Sequence, residues 1–331
     1  MRTRIAAYLK EFHLIEKLEL QRPITVEFLA QGEYNQNFLI SDGKKQFVFR
    51  LNYGSQLQLE NQIQYEYQAL RWLERTDRTP KVYYVDDSHR FFKQGLLIME
   101  FLVGQPLDYR SDLAKAAKIF GEIHRQPLDD LATNFLVEEK KTILSARVEE
   151  CQRLLVPILK SDFVPLTAQR ELARALERCT KNVDQQRFFT DLDLWCVNNT
   201  EVNSHNFIIG KKSYLIDWEK PVISHPVQDI SQFLASTTTL WRSNLLLSQT
   251  EKHQFFDEYL HATGFDRIAF EEALRIYHPY LMLRALAWSA MAYDSYQTAT
   301  KALKNQEIFE KVTSYLEPDF LQQALKEQVF E

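Results

Sequence analysis

Between Asn199 and Glu219 the chain reads Asn-Thr-Glu-Val-Asn-Ser-His-Asn-Phe-Ile-Ile-Gly-Lys-Lys-Ser-Tyr-Leu-Ile-Asp-Trp-Glu. An acid is followed five residues later by an amide, then by an apolar run, a turn, a second apolar run and another acid. Phe207-Ile208-Ile209 and Tyr214-Leu215-Ile216 predict two short strands, closed by Gly210-Lys211-Lys212. Folding that hairpin returns Asp217 to the side of Asn206, with Glu201 on the irregular loop before it. An amide oxygen and carboxylates converging there form a hard, oxygen-only donor set. Mg²⁺ that carries a nucleotide's phosphates suits such a set, because it keeps several waters and takes one or two protein ligands.

The rest of the chain bounds the fold. Its 331 residues suit two lobes better than one core. With 45% hydrophobic and 26% charged residues the composition is that of a soluble globular protein. A net charge of −5 argues against a nucleic-acid binder, which draws its affinity from a basic patch. Cys151, Cys179 and Cys196 have no metal-type or paired spacing and fit a reducing, cytoplasmic setting. No secretory leader is expected in the charged N-terminus, and no apolar run approaches the roughly 20 residues of a membrane span.

Ile5, Leu9 and Phe12, with Leu14 and Leu18, predict an opening helix ended by Pro23. Strands follow over 24–30, 37–40 and 46–51. The first two are joined by the turn Gln31-Gly32-Glu33-Tyr34-Asn35, the next two by the hairpin signal Asp42-Gly43. In the helix expected over 58–74, Ile63, Tyr67, Leu70 and Leu73 form the buried stripe, and Glu66 lies on it. A carboxylate facing a core needs a partner, for which Arg50 is the natural candidate; the alternative is a half-exposed Glu at the stripe's edge. Strands over 81–85 and 96–101 end in Met99-Glu100-Phe101-Leu102-Val103-Gly104-Gln105-Pro106, and the domain boundary is placed there, dividing the chain into 1–103 and 104–331.

Beyond residue 111 the pattern is mostly helical. His124 falls on the apolar face of a helix over 112–125 and reads as a core histidine. Two helices interrupted near Pro165 are expected within 134–183, and Asp191-Leu192-Asp193 reads as a solvated edge strand. His205 has no Cys or His at ligand spacing. Asp229 can cap a helix. No Gly-x-x-x-x-Gly-Lys-Ser/Thr motif occurs, which excludes a P-loop enzyme.

The central run resembles the catalytic loop and metal hairpin of the aminoglycoside phosphotransferase family, related to choline kinases and protein kinases. The family pattern is His-Gly-Asp, four residues, Asn, and later Asp-bulky-acid. Asn206 and Asp217-Trp218-Glu219 match, whereas Asn199-Thr200-Glu201 stands in place of His-Gly-Asp. The resemblance implies an α+β, bilobal protein-kinase-like fold. Its N-lobe is a small antiparallel β-sheet with one main helix, and its C-lobe is larger and mostly helical.

It also implies ATP or another nucleoside triphosphate with Mg²⁺, and a small-molecule hydroxyl as acceptor. Glu201 takes the place of the catalytic base, and Asn206 and Asp217 that of the metal ligands. Gly32 and Asn35 cover the phosphates, Arg50 oriented by Glu66 grips them, and the Glu100 carbonyl and Leu102 amide pair with the base. Asp229 braces the loop. Two readings stand: an ATP-dependent small-molecule kinase, and a catalytically weak or inactive nucleotide-binding relative acting through conformation or a partner.

Overall fold

Strands β1 (Thr25–Gln31), β2 (Asn35–Ser41), β3 (Gln46–Asn52), β4 (Val82–Asp86) and β5 (Gly95–Glu100) form one antiparallel sheet ordered β1-β2-β3-β5-β4. The computed structural model describes residues 1–32, 34–55, 57–298 and 306–330. Glu33, in the turn between β1 and β2, lies outside the described residues.

Strand periodicity sorts the sheet's two faces. Phe38, Ile40, Phe47, Phe49, Leu51, Leu96 and Ile98 project to one side and form a core with Ile5, Tyr8 and Leu9 of α1 (Arg2–Glu11) and Leu14 of α2 (Leu14–Lys17). The single opening helix expected from the sequence is broken in two, because His13 adopts a left-handed φ of 52°. Arg50 has the opposite parity to Phe49 and Leu51, so it faces α3 (Gln62–Leu73) on the other side of the sheet. That helix starts later than its pattern suggests; Gln58, at φ 57°, interrupts the lead-in. The β2–β3 turn is centred on Gly43 and Lys44, closed by the Asp42 amide on the Lys45 carbonyl at 3.3 Å, one residue later than the Asp-Gly signal implied.

The described residues divide into two compact units that are discontinuous in sequence. The first comprises Met1–Leu107, Gln126–Val137 and Asn206–Pro221; the second comprises Asp108–Arg125, Glu138–His205 and Val222–Glu331. The segment 206–221 belongs with the first unit because its hairpin, Phe207–Ile208 with Tyr214–Leu215, is pinned there from two sides. Gln105 bridges Ile209 through two backbone bonds of 2.9 and 2.7 Å, and the Leu215 amide donates to the Arg78 carbonyl at 2.8 Å. The close approach requires glycine: a Cβ on Gly104 would stand 2.6 Å from the Ile209 carbonyl oxygen, and one on Gly210 2.8 Å from that of Val103.

The second unit is helical around Arg267–Gln297, which packs against Ser145–Ile158. The helices Ser145–Ile158 and Leu166–Lys181 are the pair expected around Pro165, and Pro165 is the N-cap of the latter. Asp191 and Asp193 do not form an edge strand. They close the helix Gln186–Leu192, where Asp193 takes a left-handed φ of 48° and its carboxylate accepts from the Trp195 indole at 2.7 Å. The three cysteines are buried and free. Among the described residues no helix is long and apolar enough to cross a membrane.

Candidate active site

Arg50 is the centre of the first unit's polar site. Its Nη1 contacts the Glu66 carboxylate and lies 3.3 Å from Asp217 Oδ1, while its Nε donates to Asn37 Oδ1 at 3.0 Å. Asn37 is Arg50's cross-strand partner, so β2 and β3 present both side chains to α3. Glu66 is 1% exposed, which settles the choice between a paired and an edge carboxylate in favour of the pair. Burial pushes the Glu66 carboxyl above its ordinary value and Arg50 opposes that shift. Burial likewise works against the Arg50 charge, but Glu66, Asp217 and Glu219 outweigh it and hold the guanidinium more firmly protonated.

The hairpin delivers the second half of the site. The Ile216 amide donates to the Asn206 carbonyl at 2.7 Å, so Asn206 and Asp217 stand at the same open end of the two strands. Asp217 has a left-handed φ of 66°, a conformation Asp tolerates better than most residues, and its side chain remains 41% exposed. Trp218 is fully buried and its indole N–H donates to the Leu215 carbonyl at 3.0 Å, anchoring the turn after the strand. Helix α3 holds the following residues. Gln62 Nε2 donates to the Glu219 carbonyl at 2.6 Å, and the Tyr65 hydroxyl donates to that of Pro221. Glu219 then faces Asp217 closely enough to share a hydrogen bond. Burial, with the Asp217 charge behind it, pushes the Glu219 carboxyl up to about 9. Among the described residues no three His, Cys, Asp or Glu side chains gather into a metal centre.

The other expected residues of this unit occupy its strand ends. The Gly32 amide donates to the Asn35 carbonyl at 2.9 Å, and Asn35 Oδ1 accepts from Asn52 at 2.9 Å. A Cβ built on Gly32 meets no atom within 4 Å, so packing does not demand glycine there. Glu100 ends β5, its amide bonded to the Lys81 carbonyl at 2.8 Å. The Leu102 amide makes no backbone hydrogen bond among the described residues.

In the second unit the loop carrying Glu201 is held from beneath. Asp229 does not cap its own helix, Val227–Leu234; its carboxylate accepts the Asn199 and Thr200 amides, each at 2.7 Å. These bonds hold Thr200 at φ 70°, a left-handed conformation unusual for a β-branched residue and strained by about 1–3 kcal/mol. Thr200 occupies the place of the glycine in His-Gly-Asp, and the positive φ is the physical reason a glycine suits it. Asn199 Oδ1 accepts the Glu201 amide at 3.2 Å, so the residue in place of the histidine serves the loop as an acceptor. His124 is a satisfied core histidine. Its Nε2 lies 3.3 Å from Asp229, and its Nδ1 shares a hydrogen bond with the Tyr259 hydroxyl at 2.9 Å. His205 is exposed beside Ser204.

Sequence reasoning missed Asn37, Gln62, Tyr65 and the closeness of Glu219 to Asp217. Asn37 had a usable signal, since an amide in an apolar strand two residues past a turn invites a polar partner. The ties of Gln62 and Tyr65 to residues 219 and 221 had none.

A five-stranded antiparallel sheet with α3 on one face and α1 on the other, together with a mostly helical second unit, defines the protein-kinase-like class of α+β folds. The family model described as "Phosphotransferase enzyme family" matches residues 25–272, and the chain belongs to that family. Among solved structures, a spectinomycin phosphotransferase in complex with ADP and spectinomycin is 13% identical, covering 95% of this chain and 97% of its own, with a TM-score of 0.66. A microcompartment-associated aminopropanol kinase is 14% identical over 95% and 98%, with a TM-score of 0.64. A choline kinase from Cryptosporidium parvum is 15% identical over 93% of each chain, with a TM-score of 0.63. No curated protein matches the sequence.

Proposed function

We propose that the chain is a Mg²⁺-dependent phosphotransferase that moves the γ-phosphate of ATP to a hydroxyl of a small molecule. One observation carries this reading: a strand arginine, Arg50, is held by the helix carboxylate Glu66 and the hairpin carboxylate Asp217 together. A protein serving only as a scaffold has little use for a half-exposed carboxylate set against a buried cation. A protein that grips phosphates needs the cation oriented and a second charge within reach of a metal.

The donor set fits Mg²⁺. Asp217 offers one exposed carboxylate and Asn206 one amide oxygen, both hard ligands, on backbone tied together at Ile216. When bound, the ion neutralises phosphate charge. Arg50 holds the α- and β-phosphates, oriented by Glu66. Gly32 and Asn35 cover the phosphates, and the open space beside Gly32 suits backbone approach to a ligand. The Glu100 carbonyl and Leu102 amide pair with the adenine edge. Glu201 orients the acceptor hydroxyl and takes its proton. Relative to Asp its carboxylate reaches about 1.5 Å further when extended. A misplacement of about 1 Å can cost on the order of 10²-fold, so the loop geometry set by Asp229 matters to the rate.

The test is an ATP-consumption screen with Mg²⁺ over amino alcohols, sugars, aminoglycosides, nucleosides, sugar acids and sugar phosphates. Turnover on one class is expected, lowered by Glu201→Gln about 10²-fold or more with nucleotide affinity retained. Asp217→Asn weakens nucleotide binding only when Mg²⁺ is present. Nucleotide binding that ignores Mg²⁺ in the wild type and in Asp217→Asn alike would overturn the metal assignment. Mg-ATP binding without turnover on any acceptor would favour the inactive relative.

A further inference from the structure

We infer that Arg284 binds an oxyanion on the acceptor, so that the substrate of the proposed phosphotransfer is a hydroxylated carboxylate or phosphate ester rather than a cationic amino alcohol. The inference rests on the phosphotransferase reading for Glu201, but its geometry stands on the second unit alone.

Arg284 lies on the long helix Arg267–Gln297 at the end of a buried charge relay. Glu139 accepts from Gln228 and pairs with Arg147 Nη2. Arg147 Nη1 lies 3.0 Å from Glu150 Oε2, and Glu150 Oε1 accepts from Arg284 Nε at 3.0 Å. Two glutamates and two arginines balance, so the relay has no surplus negative charge of its own to absorb the far side of Arg284. The two arginines are used differently. Arg147 is 7% exposed and turns both Nη groups onto carboxylates. Arg284 is anchored through Nε only, its side chain is 15% exposed, and its Nη1 and Nη2 make no hydrogen bond or ion pair among the described residues.

Buried guanidinium donors are nearly always satisfied, so a fixed fork with its bidentate edge open is a recognition group in waiting. The edge formed by Nη1 and Nη2 matches the two oxygens of a carboxylate or phosphate, and fixing Nε removes much of the rotamer entropy that binding would otherwise cost. Glu201 is among the charges felt at Arg284, so both groups bear on one region of this unit. A substrate that offers a hydroxyl to Glu201 can therefore offer an anion to Arg284. A cationic acceptor meets like charge there.

Calorimetric titration of the full chain without nucleotide tests this independently of turnover. Gluconate is compared with glucose, ribose 5-phosphate with ribose, and choline stands as the cation. The charged member of at least one pair is expected to bind about 10–100-fold tighter than its neutral partner, the range for a charge-assisted pair of hydrogen bonds. The pair that shows the preference tells carboxylate from phosphate. Arg284→Gln abolishes the preference. Arg284→Lys, which keeps the charge and the contact with Glu150 but not the fork, reduces it, and this variant keeps the test decisive if the first folds poorly. Equal affinities within both pairs, tighter binding of choline, or a preference that survives Arg284→Gln overturns the inference. An anion preference that depends on Arg284 in a protein without phosphotransfer would keep the inference and remove the activity.

Discussion

Replacing Asp229 by Asn probes the brace beneath the Glu201 loop with an almost unchanged volume. The carboxylate accepts two amides at 2.7 Å, from Asn199 and Thr200, and faces His124 at 3.3 Å, all fully buried. A hydrogen bond to a charged group contributes about 1.5–3 kcal/mol, so the pair contributes about 3–6 kcal/mol. An Asn keeps one acceptor at neutral strength, about 1 kcal/mol, and turns its NH₂ against the other amide. Removing a buried charge returns part of the loss, which leaves a net destabilisation of about 3 kcal/mol. The clamp also opposes the strain of Thr200 at φ 70°, so its loss frees the residue before Glu201 to relax. Urea unfolding measures the stability, and amide hydrogen exchange at Asn199 and Thr200 reads the clamp directly. A loss below about 1 kcal/mol with both amides still protected would refute the reasoning, since two charge-assisted bonds cannot vanish at that cost.

Glu66→Gln removes the partner of a buried cation and should cost about 3 kcal/mol in urea unfolding together with nucleotide affinity; Arg50→Lys should be milder than Arg50→Ala, and an unchanged unfolding midpoint in Glu66→Gln would count against the pair as a stabilising contact. Gly32→Ala should leave thermal stability unchanged, because the new Cβ meets no atom within 4 Å, and should weaken Mg-nucleotide binding; full nucleotide affinity would remove Gly32 from the site. Burial, with His124 nearby, lowers the His225 imidazole from 6.5 to about 3, so it is neutral in the fold. The unfolded chain binds that proton more readily, and the associated stability is complete above pH 6.5 and drains away as the pH falls toward 3, about 2 kcal/mol being lost by pH 5. Urea midpoints at pH 7 and pH 5 should differ accordingly, and His225→Gln should narrow the difference.

Much of the site was legible in local pattern. Helical periodicity placed Glu66 on the inner stripe of α3, and the need of such a carboxylate for a partner pointed to Arg50 near the end of β3. Two runs of three apolar residues around Gly210 implied the hairpin that sets Asn206 and Asp217 at one end. These readings succeed because strand and helix periods are properties of the backbone, set by the residues on either side. Small errors came where one residue entered the left-handed region, as at His13 and Gln58, which no apolar pattern announces.

Partner choice across the chain belongs to the tertiary structure. Asp217 reaches Arg50 from 167 residues away, brought there by the pinning of the hairpin at Gln105 and Arg78 and by the hold of α3 on residues 219 and 221. Asp229 had a local role open to it at its own helix, but its carboxylate is taken by two amides 29 and 30 residues earlier, a choice only the closed fold decides. Arg284 has no local signal in the sequence, and only the fold sets its Nε against Glu150. A side chain's face follows from its neighbours in sequence. Which charge it meets follows from where distant segments close, because a buried ion is stable only against the partner that folding delivers.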